Sequence, residues 1–251
     1  MELFNLWWSA LNTRGTLFKA LNRAFGKALH AYDMIQEGDR IAVGFSGGKD
    51  SWALLWLLTE RLPRIPITYT LFPIHIDVGF GSSAPIQQNA RHMGWEVRIE
   101  QTDFGVLAHS DINRENPCFL CARNRRQRLF EIADELGCNK LALGHNKDDL
   151  IETLFLNMLY AGEMSTMLPK QALFQGRLTA IRPLVYVDEE ALTRFAASMG
   201  WPLVGNACPS AGRSKRAHVK QMLQTLYGGD RKIKGNIFRA LRHVKPDYLP
   251  K

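Results

Sequence analysis

At 251 residues, with 46% hydrophobic and 22% charged residues, the chain has the length and composition of a globular protein built on one substantial α/β domain with extensions. Its apolar runs, WALLWLL among them, fall short of the roughly 18 residues a membrane span needs. The Met-Glu start lacks a basic leader, so a cytoplasmic protein with no membrane partner is expected. The net charge of +8 is concentrated: residues 213 to 251 hold 11 Lys or Arg against 2 acids, whereas residues 1 to 212 hold 21 against 22, which directs the C-terminal segment toward a polyanion such as RNA.

Leu17, Leu21, Phe25, Ala28, Tyr32 and Ile35 recur at helical spacing, so residues 16 to 36 are expected to form an amphipathic helix, with Trp7 and Trp8 packing onto it. QEGDR breaks that pattern. Strand and helix signals then alternate: RIAVGF, a helix over 50 to 62, ITYTLFPIHID, a helix over 84 to 93, WEVRIE, a helix over 120 to 136, KLALGHN, a helix over 149 to 160, a strand near LTAIRPL and a helix over 188 to 199. Alternation of this kind predicts a doubly wound parallel sheet with helices on both faces. The expected organisation is an N-terminal helical extension over 1–37, an α/β domain over 38–205 and a basic helical segment over 206–251.

Ligands of such sheets bind outside the carboxyl ends of the strands. Ser46, Gly47, Gly48, Lys49, Asp50 and Ser51 follow the first strand, Asp77 ends the second, and Gly144, His145, Asp148 and Asp149 follow the fourth, so all are expected at one crevice. The stretch SGGKDS is not a Walker loop, since Asp50 rather than Ser or Thr follows Lys49, and it lacks the third glycine of a dinucleotide turn. Paired glycines between a strand and a helix still bring backbone N–H groups to an anion at the helix N-terminus. A plain turn capped by Asp50 or Ser51 would need neither the double glycine nor the lysine.

These motifs are recognisable. SGGKDS resembles the PP-loop of the ATP pyrophosphatase superfamily, whose members split ATP into AMP and pyrophosphate. From about Met34 to Leu249 the chain is similar to the tRNA 2-thiocytidine synthetase family, through MIQEGDRI, SGGKDS, CFLCARNRRQRLF, LGHNKDDLIETLFLNMLYAG, IRPLVY and CPS. The resemblance implies an adenine nucleotide alpha-hydrolase-like fold and replacement of the C2 oxygen of cytidine 32 in tRNA by sulfur, using ATP, Mg2+ and an oxygen-sensitive [4Fe-4S] cluster. It places that cluster on Cys118, Cys121 and Cys208. Two departures stand out: GHNKDD replaces the usual GHHRDD, so that Asn146 stands for a second histidine, and DVGFGSSAP replaces a Gln- and Lys-containing loop.

The same cysteines also admit structural zinc, with a fourth ligand from His109, His145 or His218, or a dithiol redox pair in CxxC. With only three thiolates, a cubane keeps one iron without a protein ligand. Cys138 reads as core filling. The resemblance gives Lys49, Asp50 and Asp148 catalytic roles: Lys49 offsets charge on the departing pyrophosphate, Asp50 and Asp148 serve Mg2+, and Asp77 contacts nucleotide or metal. Arg123, Arg125, Arg126 and Arg128, with Lys215, Arg216, Lys220, Arg239 and Arg242, are candidates for tRNA phosphates. Expected partners are tRNA, a sulfur donor such as a cysteine desulfurase or free sulfide, and a second copy in a homodimer. Competing readings are a PP-loop sulfurtransferase for another base or a small metabolite, a lysidine-type ligase, and a non-catalytic RNA-binding iron–sulfur redox sensor.

Overall fold

The computed structural model describes residues 15–248 apart from 82, 112, 114, 115, 206 and 231, so the expected packing of Trp7 and Trp8 lies outside the described residues. Six strands form one sheet in the order β3-β2-β1-β4-β6-β5: β1 (Asp39–Gly44), β2 (Tyr69–Asp77), β3 (Arg98–Gln101), β4 (Lys140–Ala142), β5 (Lys170–Leu173) and β6 (Leu178–Ile181). The chain builds outward from β1 through β2 to β3, then returns to lay β4 on the other side. That reversal between β1 and β4 is the switch point at which doubly wound sheets open a ligand crevice.

Five strands are parallel, as expected of a doubly wound sheet, and β5 adds an antiparallel edge through its pairing with β6. KQAL is a half-exposed edge strand with no apolar run to announce it. The first helix, α1 (Gly15–Ala31), stops five residues before the expected end, because the chain turns through Asp33 at a φ of 45°. Met34 then enters the core as a fully buried residue.

Helix α2 (Lys49–Arg61) is buried from Ser51 to Leu58, which explains why WALLWLL shows no polar face. Its Trp52 ring lies 6.2 Å from Trp201 and its Trp56 ring 5.3 Å from Phe195 of α7 (Glu189–Met199), a T-shaped contact of the kind that adds to area burial. On the opposite face α5 (Pro117–Glu135) sets Leu129, Ile132 and Ala133 against Ala42, Ile74, Leu141 and the buried Cys138. Short helices α3 (Ala84–His92) and α4 (Phe104–Ala108) fill the connections on either side of β3.

The chain divides into two units: the sheet unit runs up to Asn146 and includes Leu168–Ala211, while the second holds Lys147–Met167 and the chain from Gly212. In the second unit α6 (Lys147–Tyr160), α8 (Lys215–Gly229) and α9 (Lys232–Ala240) close on Ile151, Val219 and Leu223. Three of the C-terminal cations are paired there. Arg216 lies 3.2 Å from Asp149 and 3.5 Å from Glu152, Lys220 lies 4.0 Å from Glu152, and Lys234 lies 2.6 Å from Asp148. Arg216 and Lys220, read from sequence as phosphate grips, are therefore partners of α6 carboxylates.

Candidate active site

The turn between β1 and α2 takes its shape from Gly47, whose φ of 78° is a left-handed conformation that other residues adopt at a cost of order 1–3 kcal/mol. Gly48 then caps α2 without any side-chain hydrogen bond, leaving the first-turn N–H groups to whatever anion arrives. The two serines brace this cradle from inside. Ser46 Oγ accepts from Gly48 N at 3.3 Å and lies 3.2 Å from Ser51 Oγ, which donates to Gly48 O at 2.8 Å. Lys49 Nζ stands 3.2 Å from Asp50 and 3.0 Å from Glu189, the first residue of α7. Burial pulls the Lys49 pKa down, but the two carboxylates outweigh it and leave the ammonium form reinforced. Burial pushes Asp50 up and Glu189 adds to that, while Lys49 and the Asn146 carboxamide, 3.4 Å from Asp50 Oδ1, oppose it.

The fourth-strand loop approaches through Gly144, where a Cβ would meet the Asp50 carbonyl oxygen at 3.3 Å and Ser51 N at 3.4 Å. Both neighbours are backbone at the start of α2, so neither has a flexible end to swing away. Gly144→Ala is expected to cost about 1–3 kcal/mol in denaturant unfolding and to slow pyrophosphate release from ATP, because the cradle itself must shift. Unchanged stability and turnover would show that the loop moves freely.

Asp77, at the end of β2, accepts from Gly79 N at 2.8 Å and from Ser83 Oγ. Both carboxylate oxygens thus fold the 78–83 loop back on the strand. Asp77 and Ser83 also border a cavity of about 350 Å³ shared with Gln87, Ile99 and Gln101. The loop in turn carries the cysteine region: Phe80 packs at 5.3 Å on the ring of His109, which follows α4. His109 Nδ1 lies 2.8 Å from Gly105 O, and Nε2 lies 2.7 Å from Ser210 Oγ and 3.9 Å from Cys208 Sγ.

Helix α5 begins at Pro117 because Asn116 caps it, accepting from Cys118 N and Phe119 N at 3.0 and 3.3 Å. The expected start at 120 was too late, since CxxC forms the first turn of the helix and does not precede it. Cys118 is exposed, whereas Cys121 and Cys208 are half-buried, and all three are free thiols. Burial pushes the Cys121 thiol up; Cys208 and Cys118 raise it further, and Arg125 opposes them. Cys121 thus lies close enough to both other cysteines to feel them, and three thiols are the donor set that an iron–sulfur cluster takes. Among the described residues, no three His, Cys, Asp or Glu side chains close round a single ion, as a zinc with ligands at roughly 2.0–2.3 Å would demand.

Cysteines and phosphate cradle belong to the same unit and the same sheet edge. Val204, four residues before Cys208, donates from its N–H to Gly47 O at 3.3 Å. His75 Nδ1 lies 2.8 Å from Phe45 O just before the cradle. Burial lowers its pKa, and the charge of Arg125, which also acts on Cys121, lowers it further.

Residues 18–225 match the PP-loop domain family. The chain is 40% identical over 238 residues to the tRNA-cytidine(32) 2-sulfurtransferase of Syntrophotalea carbinolica, with 93% of this chain and 92% of that protein covered. It is 39% identical over 242 residues to the protein of the same name from Geobacter sulfurreducens, covering 92% of each. The chain belongs to this sulfurtransferase family of PP-loop proteins. Among solved structures, the U34-tRNA thiolase NcsA from Methanococcus maripaludis, determined with its [4Fe-4S] cluster, superposes with a TM-score of 0.74 at 24% identity, covering 91% of this chain and 81% of that one. That likeness concerns the fold.

Within this family frame, the structure adds residues that sequence reasoning missed. Glu189 is the Lys49 counter-ion, supplied from 140 residues away, and its only local signal is an acid in the first turn of a helix after IRPLVY. Asn146, named above only as a departure in the motif, is 2% exposed and donates to Asp50, which puts a hydrogen-bond donor at the cradle. Arg182, just past β6, is 8% exposed and donates to Leu168 O and to His145 Nδ1 at 2.5 and 3.3 Å. Burial and the charge of Arg126 pull its pKa down to about 10. His145 is thus oriented by Arg182. Asp148 stands in the second unit, where Lys234 holds it. Of the four arginines after CxxC, Arg128 is locked by Glu100, Glu131 and Glu135, whereas Arg125 and Arg126 are exposed and pair with no described carboxylate.

Proposed function

We propose that this chain is an ATP-dependent tRNA thiolase that replaces the C2 oxygen of cytidine 32 by sulfur. The observation that carries this reading is a phosphate cradle tied by the Val204–Gly47 hydrogen bond to the loop of Cys208, in a chain about 40% identical to tRNA-cytidine(32) 2-sulfurtransferases.

A pyrimidine carbonyl resists substitution because oxide is a poor leaving group. Attack of that oxygen on the α-phosphorus of ATP forms an O–P bond, expels pyrophosphate and converts the oxygen into part of a good leaving group. The backbone N–H groups of the cradle, with Ser46 and Ser51, hold the departing pyrophosphate, and Lys49 exchanges its Glu189 contact for the phosphate charge. Asp50 is the carboxylate the cradle offers to Mg2+, an ion that binds through few carboxylates plus phosphates. The cavity beside Asp77 is assigned to the nucleoside end of ATP. Cys118, Cys121 and Cys208 would hold a [4Fe-4S] cluster, which supplies an iron without a protein ligand as a binding point for sulfide. Attack of sulfide on C2 then breaks the C–O bond and releases AMP. A cysteine desulfurase or free sulfide would supply the sulfur.

Among the described residues no helix is long and apolar enough to cross a membrane. The cytoplasm is the compartment this reading proposes, since its substrate is tRNA. Nucleoside mass spectrometry of tRNA tests the whole reading. Cells without this protein should lack 2-thiocytidine and regain it on complementation. Unchanged 2-thiocytidine together with loss of a different thionucleoside would reassign the base.

A further inference from the structure

Helix α5 presents two neighbouring faces, and the thiolation chemistry uses only one of them. Cys118, Cys121 and Arg125 repeat at i, i+3 and i+7 and make the thiol face. Phe119, Arg123 and Arg126 repeat at i, i+4 and i+7 and make the other. Phe119 is the residue immediately after Cys118, and 60% of it is exposed. A single exposed aromatic ring needs no explanation by itself. This one has an arginine laid on it: the Arg123 guanidinium lies 5.7 Å from the ring centroid. About 10 Å further along the helix axis, Arg126 is exposed and near enough to Arg182 for their charges to oppose each other, with no described carboxylate beside either. An aromatic ring beside a guanidinium plane, followed by an exposed arginine with no described carboxylate beside it, matches the chemistry of a base and its phosphate. Single-stranded RNA is bound in this manner, by stacking of splayed bases on aromatic and guanidinium planes together with backbone neutralisation.

We propose that Phe119 and Arg123 form a stacking platform for an unpaired nucleobase next to the target base, with Arg126 receiving the adjoining phosphate. The proposal rests on the tRNA reading above and deepens it. A base stacked on Phe119, within one helical turn of both Cys118 and Cys121, fixes the loop so that the target stands over the thiol face. A single-stranded loop is the substrate this arrangement selects, because a paired base has no free face to offer.

The test uses the full chain and an anticodon stem-loop RNA carrying 2-aminopurine at loop positions beside the target cytidine. Phe119→Ala and Phe119→Leu are compared with Phe119→Trp, the leucine variant retaining apolar bulk so that folding and iron content are controlled. Wild type and Phe119→Trp should bind tightly and quench the 2-aminopurine fluorescence. Phe119→Ala and Phe119→Leu should lose roughly 5- to 150-fold in affinity, the range expected for one lost stacking partner. Equal affinity of the leucine variant, or unquenched fluorescence in the wild-type complex, overturns the platform while leaving the thiolation reading intact. A shift in oligomeric state with unchanged RNA affinity also overturns it, since the ring would then serve a second copy of the chain. Failure of the wild-type protein to bind the stem-loop at all would instead count against the tRNA reading itself.

Discussion

Replacing Lys49 by methionine is expected to lower the rate of pyrophosphate formation about 10²- to 10³-fold, the usual effect of removing one donor from a site of developing negative charge. Iron and sulfide content should stay at the wild-type level. Methionine preserves most of the aliphatic stem in a half-buried position, so the loss reports the ammonium group and not the packing around it. In the free protein that ammonium is held between Asp50 and Glu189, at 3.2 and 3.0 Å. Both contacts can be surrendered to a phosphate, whose charge exceeds theirs. The backbone cradle and the two serines survive the substitution, so ATP should still bind, and the defect should lie in turnover more than in affinity. A variant with wild-type turnover would remove Lys49 from the chemistry. Loss of the cluster in the same variant would instead mean that Lys49 supports the fold of the sheet edge.

The contrast between Lys49 and Glu189 shows what the sequence could and could not display. Lys49 is legible because the features that surround it are local: a β-branched strand, two glycines, and a helix start lie within ten residues. Glu189 acts at the same point, yet nothing within ten residues of it mentions a phosphate. Its role arises when α7 packs beside α2, and pairings across 140 residues leave no periodic trace. Arg182 and His145 illustrate the same limit, since IRPL and GHN read separately as a strand end and a turn. The alternation of strands and helices predicted the sheet well, because buried parallel strands such as IAV carry continuous apolar runs. It missed β5, whose half-exposed residues carry none. The C-terminal charge was visible as a total, but its pairing with Asp148, Asp149 and Glu152 of α6 was not, and this pairing removes Arg216 and Lys220 from the free cations. By the same measure Arg125 and Arg126, less conspicuous in the totals, became the stronger candidates for RNA phosphate.

Cys208→Ser is expected to give the reverse phenotype to the lysine variant. The hydroxyl nearly matches the thiol in size, and the supporting contacts are made by neighbours: Ser210 to His109 at 2.7 Å, and Val204 to Gly47 at 3.3 Å. The loop should therefore keep its path, and the phosphate cradle beneath it should be undisturbed. What changes is the donor. A serine oxygen is a hard, protonated ligand where soft iron–sulfur coordination calls for thiolate, so one corner of the cluster loses its anchor. Anaerobically purified variant should contain little iron or labile sulfide. It should still release pyrophosphate when mixed with ATP and tRNA, in an amount limited to about one turnover, since the activated nucleoside then waits for a nucleophile that is not delivered. Thiolated tRNA should fall below detection. Undiminished iron content would reassign Cys208 from ligand to bystander, and loss of the pyrophosphate burst would show that the cysteine loop shapes the nucleotide site as well. The separation of the two half-reactions by two single substitutions is the sharpest consequence of placing thiols and cradle on one edge while building them from different loops.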